Sequence, residues 1–302
     1  MATRQQALST TAPLALSAAE RDHTTRRSRG WRRFRRYRPG LVGLAFIGLL
    51  LLVAVFAPLI APYSPTEVAT RLRGDPPSAA YVLGNDAVGR DILSRLIYGT
   101  RVALMVGLGA TAIAVTIGVT VGATAGYFGG WVDAALSRLV DTLMAFPTLA
   151  LLITLAAVLG PSLITVIVAI GTTVWASYAR VVRADMLSLR ERDYVLAARA
   201  AGARDGRIIF GHMLPNVLGP IVVLGSLSVG SIIILESALS FLGLGIQPPN
   251  PSWGGMLSDG RAYIRQFPHI AVAPGVLITV TVLAFNLIGD GLRDALDPRQ
   301  RE

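Results

Sequence analysis

Three histidines, 18 acidic residues and 28 arginines are the reactive inventory of this chain, and their spacing excludes most chemistry. Cysteine is absent, which removes thiolate nucleophiles, disulfides and thiolate-bound metals. Lysine is absent too, so neither a GxxxxGK[ST] phosphate loop nor a Schiff-base amine can exist here. His23, His212 and His269 lie far apart in the sequence, and no HExxH, serine elbow or paired catalytic carboxylates accompany them. Neither a metal cage built by the protein nor an intrinsic enzymatic activity is expected, and no cofactor is assigned to the chain itself.

The remaining polar candidates are placed to act on solutes or partners. Glu236 closes the apolar run SIIILE. An acid inside such a run is a candidate for lining or gating a path, or for meeting a solute amine, and a structural or interfacial role is the other reading. Gly84, Asp86, Gly89, Arg90 and Asp91 make a compact polar loop that either contacts a partner or folds back on itself. The run QPPNPSW reads as a rigid turn with Trp253 at an interface, a partner contact being the second reading.

The longest polar stretch in the second half is ERDYVLAARAAGARDGRIIFGHMLPN, residues 191–216. Its first half is good helix material that ends in Gly202, a residue able to take the left-handed conformation after a helix. Tyr194, Ala197, Ala198 and Ala201 fall on one face, where small side chains admit a second backbone. In the second half Ile209, Phe210, Met213 and Leu214 share one side, Asp205 and Arg207 point toward the other, and Pro215 ends the element. Spacing alone leaves two roles open, a cap on the bundle or a docking site.

The elements that position these residues are membrane spans. Apolar residues make up 53% of the chain and charged residues 15%, far from the balance of a soluble domain. Six apolar stretches are long enough to cross about 30 Å of hydrocarbon as helix, at 41–61, 102–127, 141–160, 162–180, 217–239 and 271–291. They are continuously apolar and do not alternate at period two, so barrel strands are excluded and an all-α membrane protein is expected. Gly160-Pro161 predicts a tight hairpin between the third and fourth spans. Runs such as GLGATAIAVTIGVTVGATAG allow close helix contact where lipid supplies no drive for association.

The formal charge of +10 comes mostly from ten arginines in residues 1–40. RRSRGWRRFRRYR lies directly before the first span, where a positive-inside flank and anionic lipid belong, and no nucleic-acid-recognition pattern accompanies it. The apolar run that follows is too long for the core of a cleaved signal, so an uncleaved first helix is expected. The first 25 or so residues are too polar to order by themselves. With the amino terminus inside, both termini, the 128–140 turn and the 181–216 hairpin are cytoplasmic, and 21 arginines fall inside against 7 outside.

The 191–216 segment resembles the EAA loop of permease subunits in ATP-binding-cassette importers, with Ala197, Ala198, Gly202, Leu214 and Pro215 matching its pattern and Leu196 replacing the usual acid or amide. LGNDAVGRDILSRLIYGTR (83–101), ESALSFLGLGIQPPNPSWGGML (236–257) and TVLAFNLIGDGLRDALDPR (281–299) resemble the C-type subunit of dipeptide and oligopeptide permeases, and nickel permeases share much of this pattern. The resemblance implies a type I importer permease with six transmembrane helices and a coupling-helix hairpin. It implies a bacterial cytoplasmic membrane location, a homologous second permease, two ATPase domains that bind ATP and magnesium, and an extracytoplasmic solute-binding protein.

On that reading Tyr194, Ala197, Ala198, Gly202, Ala203, Asp205 and Arg207 would meet the ATPase, while Asp86, Arg90, Asp91 and Trp253 would meet the binding protein. The chain then divides into a basic tail (1–38), a first helix with its outer loop (39–100), a permease core (101–291) and a short carboxy-terminal tail (292–302). Nickel, haem or another small solute is an alternative cargo. A proton-coupled secondary transporter would need ionisable groups deep in the spans, where Glu236 is the one candidate, and a transport-inactive scaffold is the third class.

Overall fold

The computed structural model describes residues 34–296, so most of the basic tail lies outside the described residues. Helices dominate: α1 Arg38–Val55, α2 Ala57–Ile60, α3 Ile92–Phe128, α4 Gly130–Ala145, α5 Thr148–Leu159, α6 Leu163–Arg190, α7 Asp193–Ala200, α8 Asp205–Arg207, α9 Leu214–Phe241, α10 Trp253–Arg261 and α11 His269–Leu296. A π-helical turn, Ile208–Met213, joins α8 to α9. Among the described residues the only β pairing is an isolated Asn85–Asp91 bridge.

Glycine decides how the helices pack. Gly118, Gly122 and Gly126 recur every four residues on α3 and face α6. A Cβ on them would stand 2.4 Å from the Tyr178 Cβ, 2.5 Å from the Ala179 carbonyl oxygen and 2.6 Å from the Met186 Cβ. Gly171 of α6 returns the fit, opposite Ala110 and Ile113. Residue numbers rise together along this seam, so α3 and α6 run parallel. The same close approach occurs between α1 and α11, where Gly43 meets the Ala284 carbonyl, and between α9 and α11, where Gly289 meets Leu227. Small residues at such seams let dispersion and backbone contacts replace a missing hydrophobic drive.

A parallel pair requires that the chain between them return from one end of the bundle to the other. α4 and α5 make that return as a broken crossing, bent by 87° at Phe146-Pro147. With it the bundle has six crossings, five of them single helices long and apolar enough to span. Proline at the bend removes one backbone donor, which is why the break falls there. The expected inner turn at 128–140 is instead helical, since α4 already starts at Gly130. Arg183 holds α4 by bidentate hydrogen bonds to Asp133, and Arg180 reaches Asp141 at 2.9 Å.

Hydropathy places the spans but not their ends. α3 begins ten residues before the expected 102 because Asp91 caps it, accepting from the Ser94 amide at 2.7 Å. Ser162 caps α6 in the same way through the Thr165 amide, and α6 runs on to Arg190. Apolar clusters divide the interior by level. One near the outer loops joins α1, α3, α9, α10 and α11, and another at the opposite end packs the 193–213 segment under α3 and α6.

Gly118→Val forces a side chain into the Tyr178 backbone neighbourhood and is expected to destabilise the bundle by about 3 kcal/mol, as overpacking does. Gly48→Ala in α1, with open space around its Cβ, is expected to hold stability or raise it by up to about 1 kcal/mol. Thermal unfolding of the detergent-solubilised protein followed by tryptophan fluorescence compares the two.

Candidate functional site

An elbow at one end of the bundle collects most of the candidate residues. α7 ends in a Schellman arrangement, with the Gly202 amide on the Arg199 carbonyl at 3.0 Å and the Ala203 amide on the Ala198 carbonyl at 3.1 Å. Gly202 sits at φ +77 with nothing within 4 Å of a Cβ built on it, so the apex faces open space. Tyr194, Leu196 and Ala197 are exposed, as is Arg207, whereas Ala198 and Ala203 turn partly inward against the apolar cluster. Val195, which sequence reasoning did not single out, is fully buried and anchors the elbow beside Tyr127 and Met186.

The second arm departs from expectation in two ways. Pro215 does not end the element, because α8, the π turn and α9 form one continuous helical path of 37 residues, Asp205–Phe241. A proline is tolerated there because the Leu214 amide bonds five residues back to the Ile209 carbonyl, so the ladder is already changing register where a donor is missing. That register also corrects the expected apolar face. Ile208 and Met213, five apart, are buried together, while Phe210 points outward at 70% exposure. Asp205 is exposed, and one of its carboxylate oxygens accepts from the Tyr127 hydroxyl at 2.5 Å.

At the opposite end, the compact polar loop folds back on itself. Asp86 is 3% exposed and accepts from the amides of Val88 and Arg90, both at 2.9 Å, and from the Arg90 guanidinium at 2.6 Å. Arg90 also donates to Asp259 at 3.2 Å, and the buried Arg95 guanidinium lies 3.6 Å from Asp86, so the cluster ties the loop to α10. Asp91 is consumed as the α3 cap. Trp253 is not at an interface. It is fully buried, its ring packs against Gly99, and its indole N–H donates to the Leu96 carbonyl at 3.1 Å. Asp86, Asp91 and Trp253 are therefore not on the surface a binding protein would touch, because all three are buried within the chain.

Glu236 is also buried rather than solvated. Ser240 donates to it at 2.7 Å and Ser237 at 3.3 Å, and the Ser240 oxygen accepts the Ile246 amide at 3.3 Å. The carboxyl thus ties the end of α9 to the loop at 242–252, and in this structure it lines no open path. Among the described residues no three histidine, aspartate or glutamate side chains gather as a metal site.

A six-crossing helical bundle with a polar elbow protruding at one end and a closed ionic latch at the other has the build of a membrane permease subunit. Residues 118–302 match the family described as binding-protein-dependent transport system inner membrane component. Residues 25–77 match the N-terminal transmembrane domain of oligopeptide transport permease C. The chain is 45% identical over 263 residues to the dipeptide transport system permease protein DppC of Alkalihalophilus pseudofirmus, covering 86% of each. It is 46% identical over 270 residues to the glutathione transport system permease protein GsiD of Shigella flexneri, covering 89% of each. A di/tripeptide permease of Pseudomonas aeruginosa is 42% identical over 275 residues, covering 89% of this chain and 91% of that one. The protein belongs to the binding-protein-dependent inner-membrane permease family, and it is a multi-pass membrane protein.

Asp86→Ala takes the nearer carboxylate from the buried Arg95 and the partly buried Arg90, leaving Asp259 as their remaining acid, and is expected to destabilise the protein by about 3 kcal/mol, as breaking a buried ion pair from one side does. Asp259→Ala, at a half-exposed partner, is expected to cost less than about 1 kcal/mol. Thermal unfolding of both variants separates them.

Proposed function

We propose that the chain is the C-type permease subunit of an ATP-driven importer of di- and oligopeptides, forming half of the translocation path with a homologous second permease. ATP hydrolysis belongs to two partner ATPase domains that bind ATP and magnesium, and an extracytoplasmic binding protein delivers the peptide. The elbow carries this reading: an exposed apex of Tyr194, Leu196, Ala197 and Gly202 stands on a buried Val195 anchor and is followed, from Asp205, by a continuous helical path into α9. A surface that protrudes and is rigidly joined to a membrane helix is what a nucleotide-driven partner needs. ATP can bias a pore only through contacts that differ between its two states.

Peptide as the cargo is supported by the relatives named for dipeptide, di/tripeptide and glutathione transport. The described ends and the elbow share one end of the bundle, as Gly219 beside Leu296 and Gly291 beside Phe34 place them. The arginine-rich sequence flanking the first span supports a cytoplasmic orientation of that end in a bacterial inner membrane. Leu196, Phe210 and Tyr194 give the docking surface an apolar character between its charges.

Co-purification in mild detergent tests the assembly, and liposome uptake of labelled dialanine in competition with glutathione and nickel tests the cargo. Recovery of the chain without an ATPase, or uptake of nickel alone, would overturn the reading. Gly202→Trp is expected to abolish coupled uptake with membrane insertion intact. The left-handed backbone there costs a side chain about 1 to 2 kcal/mol, and the indole projects into the space a partner must enter. Wild-type uptake by this variant would refute docking at the apex.

A further inference from the structure

The inner end of α3 is gripped from three directions, two of them by the elbow. Tyr127, the last residue but one of this helix, is 4% exposed. Its hydroxyl donates to Asp205 at 2.5 Å across 78 residues of sequence. The Arg199 guanidinium of α7 lies over its ring, 5.6 Å from the centroid, and Arg190 at the end of α6 donates to its carbonyl at 3.5 Å. Both cations sit at the negative end of the α3 dipole, where positive charge is favoured. The Tyr127–Asp205 hydrogen bond joins 193–213 to α3, and Arg199 reaches the same tyrosine from α7.

The outer end of α3 is equally committed. Leu96 and Gly99 hold Trp253 of α10, Asp91 caps the first turn, and Arg95 lies beside the Asp86–Asp259 latch. The helix between is 37 residues without a proline, a rod of about 55 Å at 1.5 Å per residue. Apolar contacts around Val195 and Met213 can slide. A short hydrogen bond with a fixed direction cannot.

We propose that Tyr127 is the positioning residue that makes α3 follow the elbow, so that movement imposed at the inner face reaches the Trp253 latch at the outer face. The role rests on the reading of the elbow as the ATPase-docking surface. Tyr127→Phe keeps the ring and its stacking partner but deletes the donor. Asp205→Ala deletes the acceptor, and Asp205→Asn retains one.

The test uses the full complex with its co-purifying ATPase in liposomes, with labelled dialanine imported per ATP hydrolysed as the first readout. Tyr127→Phe and Asp205→Ala are each expected to lower that ratio about tenfold, as loss of a hydrogen bond to a charged group implies. The double variant should be no worse than either single, and Asp205→Asn, which keeps a neutral acceptor, should lose less than Asp205→Ala. A second readout needs no solute: hydrogen exchange at residues 123–128 should respond to nucleotide in the wild type and not in Tyr127→Phe. A wild-type import ratio or an undiminished exchange response in Tyr127→Phe overturns the proposal, as do losses that simply add in the double variant. Failure of the docking reading is seen separately, on the wild-type chain, as absence of a bound ATPase.

Discussion

Two parallel helices pressed together over Gly118, Gly122 and Gly126 set the frame for the rest of this protein. In lipid no hydrophobic gain rewards helix association, so backbones must come close enough for dispersion to hold them. Because α3 and α6 then point the same way, the intervening chain has to travel back across the bundle. The broken α4–α5 crossing is the consequence, with the Asp133–Arg183 and Asp141–Arg180 pairs fastening its inner half to α6.

The same frame gives the elbow its mechanical character. α6 delivers the chain to α7 at Arg190, Gly202 reverses it, and a π turn feeds it into α9 without a flexible joint. The elbow's inner side is bolted by Val195, Ile208 and Met213 into the lower cluster, which leaves its outer side free for another protein. A pendulous loop would absorb a push. An elbow that is a buried outgrowth of two membrane helices passes it on.

At the far end the polar residues serve closure rather than contact. The Asp86, Arg90, Arg95 and Asp259 cluster satisfies charges that are otherwise costly to bury, and Glu236 with Ser237 and Ser240 seals the neighbouring turn. Both arrangements hold the 83–91 loop, α10 and the end of α9 as one outer layer above the spans. That layer is what α3 meets at Trp253.

Composition and hydropathy by themselves determined that this is an α-helical membrane protein with six crossings, that it has no lysine for a GxxxxGK[ST] phosphate loop, and that residues 191–216 form a bend at Gly202. These follow from local quantities: length of apolar run, absence of lysine and cysteine, a glycine after a helix. Only the tertiary structure decided that Asp86, Asp91, Trp253 and Glu236 are internal, that Pro215 lies within a continuous helical path, and that Tyr127 grips Asp205. Such outcomes depend on which residues distant in sequence become neighbours, and on a π-helical register that no 3.6-residue periodicity encodes. A polar side chain reads the same in sequence whether it meets solvent, a partner or its own fold, and only packing tells them apart.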